Sequence, residues 1–260
     1  MITKSKLDRL VEKYETPNFI ADDPIQFIHK YSVKTDLEIA GFIASLFAYG
    51  SRKVFIKKID EILYKANGNV TDFVKSGDFT ALKGIEYRFS KENDIIPIFK
   101  ILSELYNSDK GLEELFRYSW ENADKQDYLR FFKTVVDYFY LRAPKNVGQG
   151  FYHMIPNPSN GGAMKRMNMF LRWMVRKPPV DIGIWNFMSP SDLLIPLDVH
   201  VARISREMGL LNRKSNDFKS VIELTKRLRK FCPDDPVKYD FAMFAFGVEL
   251  NHKKVELENE

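Results

Sequence analysis

Two polar residues in the second half of the chain, Lys165 and Asp198, are of the types needed to displace a leaving group from a sugar. A neutral lysine amine is a nucleophile that can form a Schiff base with a sugar carbon. An aspartate can stabilise the positive charge that develops as the leaving group departs. The pair therefore suits removal of a base from a deoxyribose. The structural alternatives are a solvent-facing lysine and an aspartate that only caps a helix.

The nucleophile in such a reaction has to be the neutral amine. A lysine with the ordinary pKa of ~10.4 is neutral in only about 1 molecule in 2,500 at pH 7. Lowering that pKa to ~7 costs roughly 4–5 kcal/mol of ammonium solvation, and burial or a neighbouring cation favours the change. The adjacent Arg166 and the stretch Met167–Met174, which is rich in Met, Phe and Trp, offer both effects.

Both residues lie where the sequence predicts that a helix begins. After Lys165, apolar residues recur with the spacing of one helical face until Pro178 and Pro179 end the helix. Asp198 directly precedes a second apolar-periodic run, a position typical of an N-cap. A long loop joins the two helices and lets their starts face each other. We therefore predict that Asp198 caps its helix and that Lys165 and Asp198 line one concave cleft.

The positive charge of the protein is concentrated in the same stretch. Residues 163–231 contain 14 Lys and Arg against 6 Asp and Glu, a balance of +8, whereas the rest of the chain contains 26 against 29, a balance of −3. This distribution is the electrostatic pattern of a protein that binds a polyanion, most often nucleic acid. A solvated basic surface without a partner is the alternative interpretation.

Composition restricts the other kinds of site. The only cysteine, Cys232, excludes an internal disulfide and a multi-cysteine zinc or iron–sulfur centre. The four histidines are scattered without metal-ligand spacing, and the chain has no nucleotide-binding glycine motif, so we predict neither a metal nor a cofactor. No apolar run is long enough to cross a membrane, and the charged N-terminus lacks the apolar block of a signal peptide. We expect a cytoplasmic protein with no membrane partner.

The remaining sequence is helical in pattern, without alternating strand signals. We predict helices over residues 5–15, 24–32, 36–50, 52–65, 92–107, 111–121, 126–141, 218–231 and 237–250. The helix from Asp36 is apolar all round, which predicts a central, buried position. The fold class is all-α, with two helical lobes in one unit, approximately residues 1–50 plus 142–260 and residues 51–141.

The segment Ile195–Leu210, IPLDVHVARISREMGL, resembles a segment of the helix-hairpin-helix (HhH-GPD) DNA glycosylase superfamily, typified by endonuclease III. The family's catalytic carboxylate corresponds to Asp198. The upstream GGAMKRMNMFLRWMVR is similar to the hairpin and the helix that carries the catalytic lysine, which corresponds to Lys165. The interval of 33 residues between them is close to that of the archaeal 8-oxoguanine DNA glycosylase branch. The whole chain also resembles a family of bacterial proteins of unknown function.

This resemblance implies a two-lobed glycosylase-like fold with a helix-hairpin-helix element, and damaged duplex DNA as the partner. It implies base excision with lyase activity on an oxidised purine such as 8-oxoguanine, through a Schiff base at Lys165 assisted by Asp198, without an iron–sulfur cluster. Backbone phosphates would contact Gly161, Gly162, Arg166, Arg203, Ser51 and Arg52. The candidates for stacking on a flipped base are Phe47, Tyr49, Trp185 and Phe187, although aromatic residues at such positions are more often core than pocket residues.

Two departures from the family pattern leave other functions open. The hairpin motif LPGxGxxTA is replaced here by IPNPSNGGAMKR, and Glu207 stands where the family has a second arginine. The first alternative is a non-catalytic helical module that keeps the fold only to bind nucleic acid. The second is a helical scaffold for a protein partner, in which the lysine and the aspartate are coincidental.

Overall fold

A computed structural model describes residues 2–124 and 126–258, and throughout these ranges the regular structure is helical. The α-helices are α1 (Lys4–Tyr14), α2 (Lys34–Phe47), α3 (Arg52–Tyr64), α4 (Val70–Ser76), α5 (Glu92–Asn107), α6 (Leu112–Glu121), α7 (Tyr128–Tyr140), α8 (Gln149–Met154), α9 (Lys165–Val175), α10 (Val199–Glu207), α11 (Phe218–Arg229) and α12 (Tyr239–Glu258). Short 3-10 helices span Pro17–Asp22, Pro24–Lys30, Thr80–Leu82, Pro158–Asn160, Pro190–Asp192 and Pro236–Lys238. The predicted all-α class is confirmed. Among the described helices, none has the length and apolar character required to cross a bilayer.

The chain divides into two compact units. The terminal unit combines Met1–Asp23 with Gly161–Glu260, and the middle unit is Pro24–Asn160. The units join near residues 23 and 160, whereas the sequence analysis placed the joins near 50 and 141. The reason lies in α2, which packs against α3, α4 and the Pro24–Lys30 segment and so belongs with the middle of the chain.

The terminal unit is built around α12, which contacts both α1 and α10. A glycine makes the second contact close: a Cβ added at Gly247 of α12 would lie 3.1 Å from Ile204 and 3.4 Å from His200 of α10. Helix α9 is buried from Met167 to Val175, and Phe170 packs edge-to-face on Trp185 with ring centroids 5.2 Å apart. This packed core therefore holds the beginnings of α9 and α10 in place.

The middle unit is organised by α2, as its composition predicts. Every residue of α2 from Asp36 to Phe47 is buried, so the predicted central helix is confirmed. Phe42 of α2 stacks on Phe139 of α7 with ring centroids 5.4 Å apart. Because α2 is buried on all sides, the backbone groups at its ends, which have no partner within the helix, need hydrogen bonds from other parts of the chain.

Two predicted helix starts need correction. The helix predicted from Pro24 does begin there, but Pro24–Lys30 is a 3-10 helix rather than an α-helix. Helix α2 begins at Lys34, two residues before Asp36, and its N-cap residue makes no side-chain hydrogen bond. The Asp36 carboxylate is used elsewhere, since it accepts hydrogen bonds from the backbone N and the hydroxyl of Thr71 at 2.7 and 2.6 Å. A local pattern cannot show that a capping residue serves a different helix.

Candidate functional site

Lys165 is the first residue of α9, as the sequence predicts. The preceding Met164 has a left-handed backbone with φ of 50° and a buried side chain, and it provides no side-chain cap. The turn is instead fixed by Asn168, whose Nδ2 donates to the carbonyl of Ala163 at 3.2 Å. The partly exposed Lys165 amine makes no hydrogen bond or ion pair with another described residue. It is therefore available to a substrate.

Asp198 is the N-cap of α10, and this prediction is confirmed. Its Oδ1 accepts a hydrogen bond from the backbone N of Val201 at 2.8 Å. The incoming segment is fixed as well, because the backbone N of Ile195 donates to the Thr225 hydroxyl at 3.1 Å. With Oδ1 held by the cap, the orientation of the partly exposed carboxyl group is set and Oδ2 is left for other contacts.

A third ionisable residue, Asp240 of α12, interacts electrostatically with both Lys165 and Asp198. Burial raises the pKa of Asp240 to about 7; the Arg172 guanidinium opposes this rise, the Asp198 carboxylate adds to it, and the Lys165 ammonium opposes it. Both predicted catalytic residues therefore contribute to the electrostatic environment of one buried carboxyl group. Asp240 Oδ1 is buried without a hydrogen-bond partner among the described residues. Lys165, Asp198 and Asp240 all belong to the terminal unit.

The sequence analysis missed Asp240, although one signal was present. It is an acidic residue in the apolar run VKYDFAMFAF, and an aspartate in such a run is rarely buried unless it is paired. Its partner, Arg172 of α9, lies 68 residues earlier in the chain. The pairing is therefore invisible to any local pattern.

Beneath the site lies a buried ion network, defined as Arg172, Arg176 and the carboxylates of Asp181, Asp240, Asp235 and Glu15. Asp181 accepts from Arg172 Nε at 3.1 Å and from Arg176 Nη1 at 3.0 Å. Arg176 also binds Asp235 at 2.7 Å and contacts Glu15, while Arg172 contacts Asp240. Buried charges persist only when they are paired in this way, and removing one partner leaves an uncompensated charge. The network fixes α9 to both ends of the chain.

The buried ion network corrects the charge argument made from the sequence. Arg172 and Arg176 were counted among the 14 cations of the basic stretch, yet their relative exposures are 3% and 8%. Their charge is neutralised internally, so they cannot contact DNA. The physical reason is that α9 has no solvated basic face at these positions, because acidic residues from other segments cover it.

The predicted phosphate contacts occupy different environments. Gly161 and Gly162 are exposed, and a Cβ added at either would meet nothing within 4 Å. Arg166 is partly exposed beside Lys165, and it interacts with other residues. Arg203 binds the carbonyl of Gly247 at 3.0 Å and Glu207 at 3.1 Å, so it joins α10 to α12. Ser51 and Arg52 begin α3 in the middle unit, where Ser51 is exposed and makes no side-chain cap.

The candidate stacking residues separate into core and partly exposed positions. Phe47 and Trp185 have relative exposures of 0% and 1%, so in this structure they pack as core residues. Tyr49 and Phe187 are partly exposed. Tyr49 lies in the middle unit, with its ring centroid 4.8 Å from Tyr87, whereas Phe187 packs on Trp185 at 5.6 Å in the terminal unit. Of these four candidates, Tyr49 and Phe187 are the two that are not fully buried.

The described residues define an all-helical protein in which Lys165 and Asp198 lie at the starts of two helices of the terminal unit and Asp240 lies on a third. The chain belongs to DUF2400, a family described as proteins of unknown function, which matches residues 23–249. No curated protein and no solved structure matches the chain. The predicted membership of a family of unknown function is confirmed, and the relation to glycosylases stays a prediction.

Asp240→Asn is expected to remove the part of the pH dependence of the free energy of unfolding that comes from the titration of Asp240. The folded pKa of about 7 lies above the ~3.9 of an unfolded aspartate, so the folded state binds this proton more tightly. That contribution to stability is complete below pH ~4 and is lost as the pH rises to about 7. Urea midpoints measured across this range should therefore show the wild type losing stability relative to Asp240→Asn.

The control for that experiment is Asp234→Asn, which makes the same substitution at an exposed position. The wild type should not lose stability relative to Asp234→Asn as the pH rises from about 4 to about 7. A constant difference between wild type and Asp240→Asn over the whole range would mean that Asp240 does not titrate there.

Proposed function

We propose that this protein is a DNA glycosylase with lyase activity that removes an oxidised purine, such as 8-oxoguanine, from duplex DNA. The observation that carries the proposal is that Lys165 and Asp198, the two residues with the required chemistry, are both partly exposed at the starts of two helices of the same compact unit. The resemblance of Ile195–Leu210 to the glycosylase segment supports the same assignment. The proposal extends to a glycosylase-like fold with a helix-hairpin-helix element.

Lys165 is the proposed nucleophile. Its neutral amine attacks C1′ of the deoxyribose, the C1′–N bond breaks with its electron pair going to the base, and the base takes up a proton. The amine stays bonded to C1′ and loses a proton, and the C1′–O4′ bond breaks with its electron pair going to O4′, which takes up a proton; the open sugar is then a Schiff base. Loss of a C2′ proton from this Schiff base eliminates the 3′ phosphate. The amine makes no hydrogen bond or ion pair with another described residue, so no protein contact has to be broken before it reacts.

Asp198 and Asp240 are proposed to act at different stages. Asp198 stabilises the positive charge on the sugar as the base leaves, and its cap bond to Val201 holds it in a fixed orientation for this role. Asp240, with its pKa near 7, can accept or release a proton at neutral pH. It is therefore the group we assign to take the proton that Lys165 must lose before it attacks.

The direct test is trapping with borohydride, which reduces a Schiff base to a stable amine. Purified protein is incubated with duplexes that each carry one lesion or an abasic site, and covalent protein–DNA adducts are counted on a denaturing gel. An adduct on an oxidised purine is the expected result. If no duplex in the panel gives an adduct, the catalytic proposal is overturned and a non-catalytic binding module becomes the better interpretation.

Binding to duplex DNA is expected to weaken steeply with salt. Each phosphate neutralised by Lys or Arg releases a counterion, so about four contacts correspond to a loss of affinity of roughly 100-fold between 50 and 200 mM salt. Fluorescence anisotropy with a labelled duplex measures this slope. An affinity that is the same at both salt concentrations would contradict a nucleic-acid partner altogether.

A further inference from the structure

The loop Arg213–Asn216, between α10 and α11, is held by a single arginine of α10. Arg206 Nε donates to the carbonyl of Arg213 at 2.8 Å, and its Nη2 lies 2.9 and 3.1 Å from the carbonyls of Lys214 and Ser215. The same Nη2 is 2.6 Å from Asn216 Oδ1. Four acceptors from four consecutive residues therefore converge on one guanidinium.

This arrangement fixes where the opposite sides of the peptide groups point. In a planar trans peptide the carbonyl of one residue and the N–H of the next point in opposite directions. Because three successive carbonyls face Arg206, the N–H groups of Lys214, Ser215 and Asn216 face away from it. These three residues are exposed, and their N–H groups donate to no other described residue. Because the carbonyls converge on Arg206, these N–H groups spread outward, where each can donate separately to a phosphate oxygen.

The charges around the loop favour an anion as well. Arg206 places a positive charge directly beneath it, and the exposed Lys214 forms no ion pair with any described residue. Arg213 is neutralised by Asp217 at 2.5 Å, and this contact lowers the pKa of Asp217 to about 2. A second acidic group, Glu223, accepts a hydrogen bond from the backbone N of Asn212 at 2.7 Å and also acts on Arg213. The two carboxylates are thus engaged by the protein, and the three cations Arg206, Arg213 and Lys214 outnumber them by one.

The end of this loop pairs with Gly161 and Gly162. Gly162 forms an antiparallel bridge with Asp217, and the backbone N of Phe218 donates to the carbonyl of Gly161 at 2.9 Å. Both glycines are exposed, with open space where a side chain would lie. An extended surface of two adjoining segments suits a chain of phosphates better than one small ion.

We propose that the Arg213–Asn216 loop and Gly161–Gly162 form one surface that binds consecutive phosphates of a DNA strand, with Arg206 as the residue that positions the loop. This inference rests on the nucleic-acid role in the proposed function and is independent of its chemistry. The partner is the phosphodiester backbone, so binding through this surface does not depend on the base sequence.

The first test removes one cation. Lys214→Ala is expected to lower the slope of log affinity against log salt by about 0.9, the value of one lost phosphate contact. The measurement uses a duplex without a lesion, so that chemistry plays no part. The matched control is Lys226→Ala, which removes the same charge from an exposed position of α11, about 12 Å further along the helix axis. Its slope should stay at the wild-type value.

The second test changes the loop without changing the charge. Arg206→Lys keeps one positive charge, but an ammonium group cannot reproduce the fixed fork of the guanidinium and hold four acceptors. Affinity for the same duplex is expected to fall roughly tenfold, the equivalent of about one preorganised hydrogen bond. The control Arg227→Lys, at a position where the guanidinium reaches one carbonyl at 3.5 Å, should bind as the wild type does. If Arg206→Lys fails to fold, as shown by circular dichroism, the Lys214 pair decides.

Other outcomes overturn the inference. If Lys214→Ala and Lys226→Ala lower the salt slope equally, only the overall charge of the protein matters and the loop does not contact phosphates specifically. Inorganic phosphate at millimolar concentration, added at constant ionic strength, should not displace the duplex; full displacement would assign the loop to a free anion instead. Failure of the borohydride experiment would leave this surface intact, since none of these measurements requires a reaction.

Discussion

Lys165→Gln is expected to abolish the covalent adduct that borohydride traps with the wild type. Glutamine has no nucleophilic amine, so no Schiff base can form at C1′ and there is nothing to reduce. Binding to the same duplex should change far less than trapping, because only one of the 12 cations of the basic stretch that lie outside the buried ion network is lost. The measurement compares adduct yield on a denaturing gel with affinity by anisotropy, on the lesion that the wild type accepts.

The matched control for this experiment is Lys226→Gln, which removes the same charge at an exposed position of α11. It should trap as efficiently as the wild type. An adduct that persists in Lys165→Gln would show that another amine is the nucleophile, and the assignment of Lys165 would then be wrong even if the protein is a glycosylase.

Asp198→Asn is expected to lower the rate of base excision by about 10²–10³, the typical effect of losing one preorganised electrostatic contact to a transition state. Asparagine is as good an N-cap as aspartate, so the bond to Val201 and the stability of α10 should change little. The negative charge that stabilises the sugar cation is what disappears. Single-turnover excision of the lesion measures the rate, and thermal unfolding confirms the fold.

Trapping on a pre-formed abasic site separates this role from that of Lys165. Such a site carries an aldehyde and no base, so Asp198→Asn should keep part of its adduct there while excision is lost. The control Asp127→Asn makes the same change at the N-cap of α7, where the carboxylate accepts from Arg130 N at 3.0 Å. Its excision rate should equal that of the wild type. If Asp198→Asn excises the base at the wild-type rate, Asp198 has no role in catalysis and serves only as the N-cap of α10.

The parts of the fold that could be predicted are those encoded locally. The N-cap at Asp198 follows from an aspartate directly before an apolar-periodic run, and the buried position of α2 follows from its lack of a polar face. The inner face of α3 was predicted only in part: its apolar spacing predicts that face from Val54, Ile56, Ile59, Ile62 and Leu63. Ile59, Ile62 and Leu63 are buried, but Val54 has 53% relative exposure, and Phe55 is buried in the first turn instead.

The parts that could not be predicted depend on distant partners. Arg172 and Arg176 have the spacing and charge of a solvated helix face, and only the carboxylates from other segments make them internal. Asp240 is important for the same reason, because its effect on the candidate site depends on residues 42 and 75 positions away. A single sequence identified the lysine and the aspartate by type, but the group that connects them required the three-dimensional arrangement.

The division of the chain into a continuous middle unit and a terminal unit built from both ends sets the order in which the protein can be completed during synthesis. Pro24–Asn160 is a single stretch, so all its contacts can form once it has left the ribosome. The terminal unit must wait for α12, which packs on both α1 and α10. At typical translation rates, the ~80 residues between the end of the middle unit and Asp240 require roughly 4–16 s. Until then α1 lacks its packing partner α12. Lys165 and Asp198 likewise lack their electrostatic interaction with the Asp240 carboxyl group.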